Sequence, residues 1–209
     1  MDRVGIIPAG GLSTRWQGLP KECLPVSQGM TFLSRTVKIM QKMHCSPVVL
    51  VTTPARQPIL EYVLGPWGGL EYCYDDQGMF SSWMTACREF PADEYVMMMP
   101  DTCALFTMPS RPLTHDIHIG TFMTDTPEQF GTFRDGVILD KAPSDKPEQA
   151  WGAVAWKRAV YEHWTESGVD NYSEALTEAI QNFDLTTFPL TGYYDIANFA
   201  KYKEFLNGI

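Results

Sequence analysis

The chain has 209 residues, enough for one domain with a substantial core. Hydrophobic content of 44% and aromatic content of 12% exclude a disordered tail. With 25 Asp and Glu against 16 Lys and Arg the formal charge is -9, a surface that repels nucleic acid and anionic membrane.

The first strand is expected over residues 4–7, an apolar run that breaks at Pro8-Ala9-Gly10-Gly11 into a loop carrying Ser13, Thr14, Arg15 and Lys21. A strand emptying into a glycine turn with two spaced cations presents backbone N–H groups and positive charge to phosphate. The stretch fits neither GxGxxG nor GxxxxGK[ST], so neither a dinucleotide fingerprint nor a P-loop is indicated. Thr31 can cap a helix whose apolar face includes Phe32, Leu33, Val37 and Met40. A β-branched strand follows at 47–53, then a short helix ending at Gly65 with Pro58 near its start. A third strand over 69–76 ends in two acids, a helix over 79–90 stops before Pro91, and a fourth strand over 94–102 ends at Pro100-Asp101-Thr102. Strand, loop and helix thus repeat three times before a last strand. That is an α/β pattern: a Rossmann-like, mostly parallel mixed sheet with helices on both faces, a three-layer sandwich.

The second half changes texture. A strand is expected at 117–125, a hairpin at 130–143 turning at Arg134-Asp135-Gly136, a polar loop at 144–149 and a strand at 151–157. Helices follow around 158–164 and over 171–183, then an extended stretch at 186–196 and a helix at 198–208 with a glycine stop. No linker composition separates a second domain, so residues 1–209 read as one unit.

Several residues carry possible chemistry. Arg15 can fork two phosphate oxygens, and Lys21 is a mobile point charge for a leaving phosphate; a solvated pair of cations is the plain alternative. Asp101 and Asp195 read equally as caps or turn residues. If the fold brings them within about 4 Å, their repulsion is roughly 4 kcal/mol at an effective dielectric near 20, which a divalent cation removes. Hard oxygen donors with no His/Cys cluster indicate Mg²⁺, with Mn²⁺ the alternative. Lys141 leaves a strand beside Asp140 and could meet an anion. The histidines at 44, 115, 118 and 163 lack metal-ligand spacing, and Ser81-Ser82 lacks a nucleophile elbow. The methionines 97–99 and the tryptophans read as core or pocket wall, except Trp16, which lies inside the phosphate loop. The five cysteines, with no CxxC pair, read as free thiols. No apolar run is long enough to span a membrane, and the first strand leaves no room for a signal peptide. The expectation is a cytoplasmic protein, monomeric or homo-oligomeric.

These segments together resemble the sugar-1-phosphate nucleotidylyltransferases. The resemblance is carried by IIPAGGLSTRW…LPKECLPV, then MMMPDT, FGTFRDGVILDKAP, WGAVAWK and GYYDIANFAKYKEFL, in that order. It implies the GT-A-like fold of nucleotide-diphospho-sugar transferases, with a nucleotide-binding half (1–103) and an acceptor-binding half (104–209). It implies that Ala9, Gly10, Gly11, Ser13 and Thr14 wrap the nucleotide phosphates, with Arg15 and Lys21 on the β and γ phosphates. Asp76, Gln77, Gly78 and Ser82 fall where the family reads the base. Asp101 and Asp195 would hold Mg²⁺, and Lys141 and Gly152 would meet the acceptor. The implied activity is transfer of a nucleotidyl group from an NTP to a sugar-1-phosphate, giving NDP-sugar and pyrophosphate, with Arg15, Lys21, Asp101 and Lys141 catalytic. Two other readings stay open. One is a cytidylyltransferase or other nucleotidylyltransferase acting on a non-sugar phosphate, which the short Arg15–Lys21 loop and GMFSSW suggest. The other is a catalytically silent nucleotide-sugar binding or regulatory protein.

Overall fold

The computed structural model describes residues 2–11, 13, 16, 18–105 and 111–208. Strand β1 (Arg3–Pro8) is central, and its Val4, Ile6 and Ile7 are all buried. It is apolar on both faces because helices cover both, so its sequence shows a continuous run rather than alternation. A small ribbon, β2 (Pro25–Ser27) with β3 (Met30–Thr31), precedes α1 (Phe32–Lys42). Thr31 caps α1 reciprocally with Ser34: Ser34 N donates to Thr31 Oγ1 at 3.1 Å, and Thr31 N donates to Ser34 Oγ at 2.9 Å. Then follow β4 (Val48–Thr52), α2 (Gln57–Leu64), β5 (Leu70–Tyr74), α3 (Met79–Glu89) and β6 (Glu94–Met98). Strands β5, β4, β1 and β6 lie side by side in that order, all parallel.

The second half supplies β7 (Thr102–Leu105), β8 (Ile117–Thr124), the hairpin β9 (Gly131–Arg134) and β10 (Val137–Asp140), and β11 (Glu148–Lys157). It ends with α4 (Arg158–Ser167), α5 (Tyr172–Asn182), β12 (Leu185–Pro189), β13 (Thr191–Asp195) and α6 (Phe199–Asn207). Strand β11 runs antiparallel to β6, and β8 and β12 extend the sheet beyond it. Past the end of β6, the same edge of β11 takes up β9 through Ala150 and Thr132. The register of β11 against β8 slips between Trp151 and Ala153, so Gly152 is the extra residue of a bulge.

Alternate residues of β1 serve two cores. Val4 and Ile6 pack with α3, α4 and α5 around the wholly buried Trp83, Trp156 and Trp164, whereas Ile7 packs with α1 and α2. The molecule is therefore the expected Rossmann-like three-layer α/β sandwich with a mixed, mostly parallel sheet. Two details differ from expectation. Strand β11 begins at Glu148, inside the expected polar loop, because Glu148 pairs with Arg134 of β9 and Gln149 bonds Thr121 of β8. The extended 186–196 stretch splits, and β13 leaves the main sheet to pair with β7. Helix α6 ends at Gly208 as expected, with that glycine at φ -95. Among the described residues no helix is long and apolar enough to cross a membrane, and the five cysteines are unpaired thiols.

Candidate functional site

The loop after β1 is fixed first by its backbone. Ala9 N donates to Val51 O at 2.7 Å, holding the chain against β4. A Cβ on Gly10 would sit 3.0 Å from the Asp75 carbonyl oxygen, so a bare α-carbon lets the two loops close on each other. Ser13 takes φ 48, and its carbonyl accepts from Trp16 N at 2.8 Å and Gly18 N at 3.2 Å. Thr14 and Arg15, expected on the phosphates, lie outside the described residues. The Trp16 ring turns away from the sheet: it is buried with Val26, Phe32, Ile196 and Tyr202, and its Nε1 donates to Ile196 O at 3.3 Å. It thus shapes the loop by tying it to the segment that carries Asp195.

A single 3₁₀ turn, Lys21–Cys23, ends the loop. Lys21 Nζ forms an ion pair with Asp101 Oδ2. Burial alone would lower the Lys21 pKa, but Asp101, then Asp195 and Glu22, hold it above the ordinary lysine value. Asp101 follows β6 and is 5% exposed; its Oδ1 is buried with no hydrogen-bond partner. Asp195 reaches the same place from the far end of the chain. It faces Thr102 across the β13–β7 ribbon, and Ile196 N donates to Asp101 O at 3.3 Å.

Pro8, Ala9, Gly11, Ser13, Lys21, Asp101, Lys141 and Asp195 line one cleft of about 610 Å³. Its far end is aromatic: Phe130, Trp151, Tyr172 and Tyr193 form the walls. Tyr193 stacks on Phe122 with centroids 3.8 Å apart, while burial, then Asp195 and Asp101, push its phenol well above the ordinary tyrosine range. Gly152 lies beneath Tyr193; a Cβ there would overlap the ring. The Trp151 indole N–H lies over Gly131, buried and without an acceptor. Tyr172 OH bonds Asp140.

The residues expected to read the base are arranged differently. Gly78 begins α3 at φ 115, and the Ser82 hydroxyl donates to Gly78 O at 2.9 Å, inside the helix's own first turn. The Gln77 side chain bonds Asp76. Its neighbour Asp75 organises the loop, since Oδ1 accepts from Gln77 N at 2.9 Å while Oδ2 is buried without a partner. Of that segment, Met79 reaches the cleft. Trp151 lines the cleft as pocket wall, whereas Glu22, Arg56, Tyr172 and Tyr193, like Asp75, carry no sequence signal that marks them as site residues. Glu22 and Arg56, 34 positions apart, form a 2.7 Å ion pair that nothing local announces.

The model of the MobA-like NTP transferase domain matches residues 5–107. A Bacillus anthracis structure described as a glucose-1-phosphate thymidylyltransferase superposes with TM-score 0.80 at 17% identity, covering 97% of this chain and 93% of that one. An inositol-1-phosphate CTP transferase from T. maritima gives 0.73 at 16%, covering 98% and 94%. A UDP-glucose pyrophosphorylase from Acinetobacter baumanii gives 0.75 at 13%, covering 99% and 92%. At such identities these structures establish the shared fold. Comparison with curated protein sequences gave no match. The match over residues 5–107 contains the loop after β1, Lys21 and Asp101, so by this segment the chain is similar to the MobA-like NTP transferase domain, on a fold it shares with these nucleotidyltransferase structures.

Proposed function

We propose that the protein transfers a nucleotidyl group from an NTP to a sugar-1-phosphate and releases pyrophosphate. The observation that carries this is the convergence of Lys21, Asp101 and Asp195 on one cleft, between the loop after β1 and Lys141. The acceptor phosphate is already ionised near pH 7, so its oxygen can attack the α-phosphorus without a general base. The protein's task is then alignment and charge neutralisation. The backbone around Gly11 and Ser13 cradles the triphosphate, Arg15 and Lys21 hold its leaving end, and Lys141 holds the acceptor phosphate.

Among the described residues no group of three His, Cys, Asp or Glu side chains could hold a metal. Two carboxylates do converge, and the buried Asp101 Oδ1 lacks a partner, a donor set that fits Mg²⁺ with water and phosphate completing its shell. Such an ion would neutralise charge at the reacting phosphate. We assign residues 1–103 to the nucleotide and 104–209 to the acceptor within one domain, in a cytoplasmic enzyme of nucleotide-sugar biosynthesis. A panel of NTPs crossed with acceptor phosphates, read by pyrophosphate release with and without Mg²⁺, tests the reading. Tight nucleotide binding without turnover of any pair would favour the silent binding protein instead.

A second reading, transfer to a non-sugar phosphate, is supported by the aromatic end of the cleft. Tyr172 OH is engaged by Asp140, Tyr193 OH faces Thr102 and the Trp151 N–H is buried over Gly131, which leaves Gln129, among the described side chains, as the polar wall group beside Lys141 at this end. Each hydroxyl of a bound hexose left unpaired there costs about 1–3 kcal/mol, a penalty that a less hydroxylated phosphate ester avoids. The same panel separates the two acceptor classes.

A further inference from the structure

Arg56 lies on the turn between β4 and α2, well outside the loop after β1, yet its guanidinium touches both ends of that loop. Nη2 donates to Glu22 Oε1 at 2.7 Å and lies 3.4 Å from Ser13 Oγ. Ser13 opens the loop in the left-handed region, and Glu22 closes it one residue after Lys21. A non-glycine residue at such a φ persists where surrounding contacts hold it. Arg56 itself is presented from a fixed point: its N donates to Thr53 O at 3.0 Å, and it begins α2, whose Leu60 and Leu64 are buried against α1.

The pair also settles a competition between charges. The side chains of Arg56 and Glu22 are only 12% and 5% exposed, so water does little to screen them. Burial raises the Glu22 pKa, and Arg56 is the strongest opposing influence, ahead of the adjacent Lys21. Without Arg56, the buried carboxylate next in sequence to Lys21 would draw on that ammonium, which now pairs with Asp101.

We propose that Arg56 is a positioning residue: its guanidinium ties Ser13 to Glu22, the two ends of the phosphate-binding loop, and, by occupying Glu22, leaves Lys21 for Asp101 and the leaving phosphates. The inference rests on the nucleotidyl-transfer reading. Its test compares wild type, Arg56→Lys, Arg56→Met and the double variant Arg56→Met/Glu22→Gln at saturating acceptor phosphate and Mg²⁺. Steady-state kinetics are measured in NTP, with binding of a non-hydrolysable NTP analogue followed by calorimetry. Arg56→Met should raise KM for NTP and the analogue's Kd about tenfold and lower kcat about tenfold. Arg56→Lys, which keeps the charge, should recover part of the kcat. The double variant should recover kcat, because no buried acid competes for Lys21, while KM stays high because the tie is gone. Since Arg56→Met leaves a carboxylate buried and alone, it can fail to fold; the double variant removes both charges and then decides by its KM. Wild-type KM in the double variant, or a kcat no better than that of folded Arg56→Met, overturns the proposal while nucleotidyl transfer stands. A wild-type protein that neither binds the analogue nor releases pyrophosphate overturns both.

Discussion

Asp195 stands opposite Thr102 in the β13–β7 ribbon, which places it beside Asp101 although 94 positions separate the two acids. Neither carboxylate can be replaced from its own neighbourhood, so both should govern metal use. Asp101→Asn and Asp195→Asn are each expected to raise the Mg²⁺ needed for half-maximal pyrophosphate release at least ~10-fold. EDTA should abolish release from the wild type. An unchanged Mg²⁺ titration in both variants would remove the metal assignment.

Lys21 is held charged by Asp101, Asp195 and Glu22 against the opposing effect of burial. Lys21→Ala should therefore cut turnover at least ~10²-fold, and without Mg²⁺ it should also lower the urea midpoint, because Asp101 loses its ion-pair partner. Because the folded pKa lies above 10.5, the alkaline limb of the wild-type rate profile should show no loss from this group below that pH. A lysine titrating near neutrality would contradict the charge arrangement described.

Gly152 is the bulge residue beneath Tyr193, and a methyl group there must displace a ring stacked on Phe122. Gly152→Ala should cost about 1–3 kcal/mol by overpacking. Its kinetic effect should fall on the acceptor: about a tenfold rise in KM for the phosphate ester, with KM for NTP nearly unchanged. Equal effects on both substrates would argue against an acceptor site at this end of the cleft.

His118 is buried in β8, and its Nε2 accepts from His115 N at 3.2 Å, a bond that protonation abolishes. Burial, then His115 and Arg3, lowers its pKa to about 4 from the ordinary 6.5. The unfolded chain binds this proton more readily. Stability is thus complete above pH 6.5 and declines as pH falls toward about 4. Urea midpoints measured across that range should drop, and His118→Gln should flatten the drop.

The sheet was legible because its signals are local. Val48–Thr52 is a β-branched run between breakers, Thr31 and Ser34 are a capping box within one turn, and Asp135-Gly136 is a two-residue hairpin turn. Asp101 and Asp195 stand at recognisable places in the order of motifs, one on the turn after β6 and the other at the end of β13. What stayed hidden depends on partners distant in sequence. Thr102–Leu105 is a strand only because Thr191–Asp195 comes to it, and Glu22 gains its meaning only from Arg56. Ser82 shows a local partner instead: its hydroxyl donates to a carbonyl four residues back, at the start of its own helix.

The seat of Trp16 has a temporal side. Its indole N–H finds its acceptor at Ile196, 180 positions away, and its ring packs against Tyr202, so a loop is completed by residues made long after it. During synthesis the parallel strands can pair and bury their apolar faces well before that. A growing chain therefore has a sheet before the loop after β1 is seated, and that loop gains its full set of contacts only once α6 has been made.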